Sequence, residues 1–153
     1  MTTTTTLYVS RRIRIPSFAA AAAFDELAAA TSPTCEIVAP TAVLVMRCPL
    51  VAADDVPTLP VRATTGSLRP AAGWGSFPVE VDLVPWSSRE AAVGVRPAGR
   101  WVPLTEGRRQ HRFVRLADAM AAHVAGRLEA RATAWELDVV REAAALLGTA
   151  VGT

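Results

Sequence analysis

From Leu7 onward, apolar and polar residues alternate. Leu7, Val9, Ile13 and Ile15 share one side, with Arg11 among them, and Tyr8, Ser10, Arg12 and Arg14 share the other. A period of two predicts a half-buried strand over 7–15. Pro16 and Ser17 punctuate it, with Ser17 placed to act as N-cap. The Ala-rich stretch 18–30 predicts a helix with Phe24, Leu27 and Ala28 on its apolar side, and its small residues allow close packing on a sheet. Residues 35–38 and 41–48 predict a hairpin about Ala39 and Pro40. A Pro-rich loop with Asp54 and Asp55 fills 49–60. A weaker strand follows over 61–68, then a Gly-rich loop over 69–76 that carries Trp74. The clearest alternation comes next: Val79, Val81 and Leu83 lie on one face, Glu80 and Asp82 on the other. The chain turns over 86–89 and returns through Ala91, Val93 and Val95, and 100–104 adds a last short strand.

At Phe113 the period changes to 3.6. Phe113, Leu116, Met120, Val124 and Leu128 form one stripe, while Arg115, Asp118 and Glu129 lie off it. Helical character continues through Trp135, Val139, Leu146 and Leu147, and Gly148 reads as the stop. A straight helix over 113–147 would be roughly 50 Å long at about 1.5 Å per residue. That exceeds the breadth of a domain this size. The helix therefore either bends, near Gly126 or Thr133, folding its end back on its own domain, or projects with apolar residues in need of a partner.

Composition narrows the class. The chain has 153 residues, 51% hydrophobic and 20% charged, which is globular rather than disordered. It reads as a single domain over 1–153, with a disordered Thr run at 1–6 and a helical extension at 133–153. A formal charge of +2 is too small to argue for nucleic acid. All 16 basic residues are arginine, and with abundant Ala, Val and Pro this points to a GC-rich bacterial coding sequence. The opening MTTTTTLYVSRR has no apolar signal core, and Asp25 and Glu26 break the Ala-rich run well short of a membrane span. The expectation is a soluble, cytoplasmic protein without membrane insertion. Pairing about Pro40 sets Cys35 opposite Val45 or Met46 rather than Cys48, which predicts two buried free thiols.

Three segments carry a family resemblance: the opening YVSRRIRIPSFAAAAAFDELAAA, the hairpin VEVDLVPWSSREAAVGVRP and the closing FVRLADAMAAHVAGRLEARA. Over residues 7–132 the chain resembles the START-like or SRPBCC superfamily of Bet v 1 relatives and polyketide cyclases. The resemblance implies an α+β helix-grip fold. A curved antiparallel sheet of about six or seven strands would pack on a long C-terminal helix, with an N-terminal helix after strand 1. It also implies a cavity between sheet and helix for an apolar or aromatic, lipid- or polyketide-like molecule. The chain departs from the family's pattern in two ways: it lacks a second short helix with a Trp, and its last helix runs long.

Several residues could serve such a cavity. His123, on the flank of the helical stripe, is either an acid, base or hydrogen-bond donor to the ligand or an ordinary half-exposed helix residue. Arg127, one turn on, is either a clamp for a carboxylate or enolate or a solvated side chain. Met46, Cys48 and Met120 are candidate ligand-binding walls or plain core. Trp74 is a candidate lid, and Trp86 and Trp101 read as plugs of the barrel end, with Trp74 and Trp101 also candidate ligand contacts. Arg108, Arg109, His111, Arg112 and Arg115 form a basic cluster that either meets phosphate or an anionic surface or is a solvated run. Arg12 and Arg14 are expected to cross-pair with Glu80 or Asp82. No metal-ligand spacing, nucleotide loop or nucleophile elbow is present, so no metal and no cofactor are expected. The function expected is a small-molecule pocket protein, with His123 and Arg127 assisting any cyclisation, dehydration or isomerisation. The alternative is a non-catalytic protein with a side-chain-filled core that forms a homodimer through 133–150. Membrane-surface adaptation through the Arg cluster is a third reading.

Overall fold

The computed structural model describes residues 8–29, 33–48, 51–52, 62–98 and 107–151. The elements run β1 (Val9–Ile13), α1 (Ser17–Ala29), β2 (Thr34–Val38), β3 (Ala42–Arg47), β4 (Val51–Ala52), β5 (Arg62–Pro70), β6 (Phe77–Ser87), β7 (Glu90–Pro97) and α2 (Gly107–Val151). All strand pairs are antiparallel, in the order β1-β7-β6-β5-β3-β2, and the short β4 pairs with β5 beyond the end of β3. The expected Thr run at 1–6, the strand at 100–104, Trp101 and Asp54 and Asp55 lie outside the described residues.

The β2–β3 register follows from its turn. Cys35 pairs with Met46, and both cysteines are free thiols, but only Cys35 is buried as expected; Cys48, just past the end of β3, is half-exposed. β6 and β7 meet as a long hairpin with a bulge between Pro85 and Ser87. A one-residue insertion of this kind adds twist and bends the strand. Gly66 on β5 lies between Met46 and Val79, and a Cβ there would overlap the Val45 carbonyl. Only a residue without a side chain lets β3 approach β5 so closely, and the sheet curves around the helix.

One core joins both helices to the concave face of the sheet. Val79, Val81 and Leu83 of β6, Val93 and Val95 of β7, and Ile37, Leu44 and Met46 of the β2–β3 hairpin are all buried. They face Phe113, Leu116, Met120, Val124 and Leu128 of α2, the stripe read from its period, and Phe24 of α1. Phe77 and Phe113 meet edge to face, with centroids 5.6 Å apart. Packing, not local preference, fixes the start of α2. Its first turn contains no acid and carries two cations, Arg108 and Arg109, which the helix dipole disfavours by a few tenths to about 1 kcal/mol each. Burying each large side chain of the stripe contributes about 1.5–3 kcal/mol and outweighs this.

The structure corrects several expectations. Ser17 does not cap α1. Its buried hydroxyl faces the Ser87 and Glu90 carbonyls of the β6–β7 turn, and the first helical bond runs from Ala20 N–H to the Pro16 carbonyl. α2 begins at Gly107, six residues before the apolar stripe, and passes through Gly148 to Val151, so that glycine is no stop. β5 runs to Pro70, and β4 interrupts the expected loop. Arg12 pairs with neither Glu80 nor Asp82. It lies over the Trp86 ring at 3.9 Å and reaches Glu90 at 4.0 Å, because β1 joins the sheet beside β7. Glu80 pairs with Arg96 instead. Trp86 is exposed on the outer face and plugs nothing.

Of the two alternatives for the tail, the helix projects. Its 45 residues span about 67 Å at ~1.5 Å each, and among the described residues Ala132 is the last in the core. Beyond it Trp135, Leu137, Val140, Leu146 and Leu147 are exposed.

Candidate functional site

The first three turns of α2 pass the β2–β3 turn and the loop after β5. Between them lies an open cleft of about 570 Å³, lined by Thr41, Pro70 and Ala72 on one side and by Arg108, His111, Arg112, Arg115, Leu116, Asp118 and Ala119 of α2 on the other. Helical spacing explains the set: 108, 112, 115, 116 and 119 recur every three or four residues along one side. A second cleft of about 360 Å³ adjoins it, lined by Gly75, Ser76, Phe77, Arg108, Arg109 and Arg112. Arg108 and Arg112 line both.

The lining is mixed. Pro70, Ala72, Leu116 and Ala119 supply apolar surface, and three arginines and a histidine share the larger cleft with them. Arg112 donates to the Trp74 carbonyl at 2.6 Å and so holds the 71–76 loop against α2. Gly73 and Gly75 flank Trp74 with φ of 139° and 95°, a region glycine occupies without strain. Among the described residues Asp118 is the one acid in the lining, and it is already engaged. Arg11 of β1 donates to both its oxygens at 2.7–3.0 Å, which ties the inner face of the sheet's edge strand to the helix. Both side chains are about half exposed, so this pair is worth at most about 1 kcal/mol, and its weight in the site is charge neutralisation.

The residues singled out from sequence are dispersed. Met46 and Met120 are fully enclosed in the core. Cys48 is half-buried, and burial first, then the neighbouring Cys35 thiol, pushes its thiol up, the reverse of an activated nucleophile. Cys35 itself donates to the Leu27 carbonyl at 3.3 Å. His123 is half-buried and Arg127 exposed, and neither lines the two clefts. Trp74 is 91% exposed, and it meets Arg112 through its backbone carbonyl. The basic cluster, by contrast, is gathered into one place. Sequence reading identified those cations but not their counterparts Thr41, Pro70 and Ala72. Nothing in a turn threonine or a strand-end proline signals that it will face a helix that follows far along the chain.

Among the described residues, no group of three or more His, Cys, Asp or Glu is arranged to hold a metal ion. No helix there is long and apolar enough to cross a membrane.

A curved antiparallel sheet closed on a long C-terminal helix, with a helix after the first strand, is the helix-grip architecture. No family model matches the sequence, and no curated protein matches it. Among solved structures the chain aligns with the Zhui aromatase/cyclase of a Streptomyces species, at 15% identity over 83% of this chain and 94% of that one, with a TM-score of 0.38. It also aligns with a Thermus thermophilus protein, at 11% identity over 85% and 98% of the two chains, with a TM-score of 0.34.

Proposed function

We propose that the protein binds a small molecule with an apolar or aromatic, lipid- or polyketide-like body, seated in the cleft between the start of α2 and the two β turns. The observation that supports this is the cleft itself. Its volume of about 570 Å³ lies within the range of small-molecule sites, and its lining combines four apolar residues with several polar and charged ones. The reading is one of binding. The two groups proposed from sequence for cyclase, dehydratase or isomerase chemistry, His123 and Arg127, stand outside the lining, and His111 is the acid–base side chain within it.

The test is titration with a neutral fluorescent apolar probe, N-phenyl-1-naphthylamine. Saturable binding to one site is expected. Ala119→Trp fills the cleft from the half-exposed side of α2, and should weaken the probe by about tenfold or more while leaving thermal unfolding near that of the parent. Absence of saturable binding, or binding unchanged by the tryptophan, overturns the proposal.

A second reading is favoured by a different observation. Trp135, Leu137, Val140, Leu146 and Leu147 are exposed on the projecting part of α2. We propose that this part pairs with a second copy of the chain through residues 133–150. Trp135 is already turned toward α1, with its ring 6.0 Å from that of the exposed Phe18. Binding in the cleft and pairing of the tails are compatible.

A further inference from the structure

We propose that the ligand of this cleft carries a group with two or more negative charges, of the phosphate-ester or diphosphate class, held by Arg108, His111 and Arg115. The inference rests on the cleft being a ligand site and adds the charge that the site selects.

Five cationic or potentially cationic side chains, Arg108, Arg109, His111, Arg112 and Arg115, fall within the opening turns of α2, and no acid precedes Asp118 in that helix. Cations at this end oppose the helix dipole, and here they also repel one another. Two of them have structural partners: Arg112 tethers the Trp74 loop, and Arg109 lies 5.8 Å from the Phe77 ring. Arg108 and Arg115 form no ion pair among the described residues, although five other arginines, Arg11, Arg12, Arg62, Arg96 and Arg131, reach an acid. The acid in the cleft wall, Asp118, is closed off by Arg11 and does not neutralise them.

Shape and count then select the ligand group. One carboxylate is satisfied by a single guanidinium fork. Three arginines and a histidine around one concavity match a phosphate or diphosphate, whose charge also complements the helix dipole. The Thr41 side chain, on the facing turn, is exposed in the same lining. A cleft suits a discrete ligand, with its apolar body on Pro70, Ala72, Leu116 and Ala119, better than a flat bilayer surface.

Calorimetric titration of the full chain with inorganic pyrophosphate tests this. Saturable binding that weakens with added salt is expected. Arg108→Ala/Arg115→Ala should weaken it by about tenfold or more, while Arg89→Ala/Arg141→Ala, which removes two exposed arginines elsewhere, should not. Without ligand, the cleft double variant should unfold at the same or a higher temperature than the parent, which shows that lost binding is not lost folding. No saturable binding, or equal loss in the control variant, overturns the proposal. So does binding to phosphatidylglycerol-containing vesicles that pyrophosphate does not displace, since the anion recognised is then a membrane surface. If the neutral probe binds and pyrophosphate does not, the charge inference alone falls. If pyrophosphate binds with the expected variant pattern and the neutral probe does not, the apolar reading falls and the anion site stands.

Discussion

Tyr8 is the one tyrosine of the chain, and its hydroxyl donates to Asp82 Oδ1 at 2.9 Å across the outer face of the sheet. Gly94 makes room for the pair, since a Cβ there would overlap both the phenol oxygen and the carboxylate. Burial first, and then the adjacent Asp82 charge and hydrogen bond, push Tyr8 from its ordinary 10.0 up to about 12. Burial likewise raises the Asp82 carboxyl, with the Tyr8 hydrogen bond acting against it. Because the folded phenol holds its proton more tightly than the unfolded one, its contribution is fully present below pH 10. It is lost as pH climbs through about 12. Ultraviolet titration of the phenolate should therefore give a midpoint near 12. Asp82→Asn should bring it part of the way back, because burial remains. A parent midpoint near 10 would show that the contact does not form. The alternation over 7–15 placed Tyr8 on the outer face, but nothing local names Asp82, 74 residues away, as its partner.

At the level of elements, periodicity was legible wherever one face is buried. The α2 stripe from Phe113 to Leu128 and the β6 face of Val79, Val81 and Leu83 lie in the core as their spacing predicts. The β2–β3 register followed from one turn. Ends were less legible. Residues 107–112 are polar and lack a stripe, so the start of α2 is set by the packing that follows it. β5 read weakly because Gly66 and its polar neighbours depress strand character, yet that glycine is what its position requires. Gly66→Ala should destabilise the protein by about 1–3 kcal/mol in urea unfolding, since the atom it would strike is backbone and cannot rotate aside. An alanine variant as stable as the parent would mean that β3 and β5 can separate there at little cost.

For the whole molecule, the consequence of α2 is its overhang. Residues 133–151 extend about 28 Å past the core at ~1.5 Å each. A chain ending at Thr133 should keep its fold, losing no more than the Phe18–Trp135 contact, about 0.5–1.5 kcal/mol. In light scattering the full chain should run as a dimer and the shortened chain as a monomer. A monomeric full chain overturns the tail pairing. The amino-acid order by itself determined six of the strands, β1–β3 and β5–β7, both helices, the two free thiols and the cation run at 108–115, because hydrophobic period, turn chemistry and charge are properties of neighbouring residues. Tertiary structure decided which of these meet. Arg11 reaches Asp118 across 107 residues, and Thr41 and Pro70 come to face the start of α2, because the sheet wraps the helix and brings its turns to that end. A cleft is made of surfaces contributed by distant segments, and such an arrangement leaves no periodic mark in any one of them.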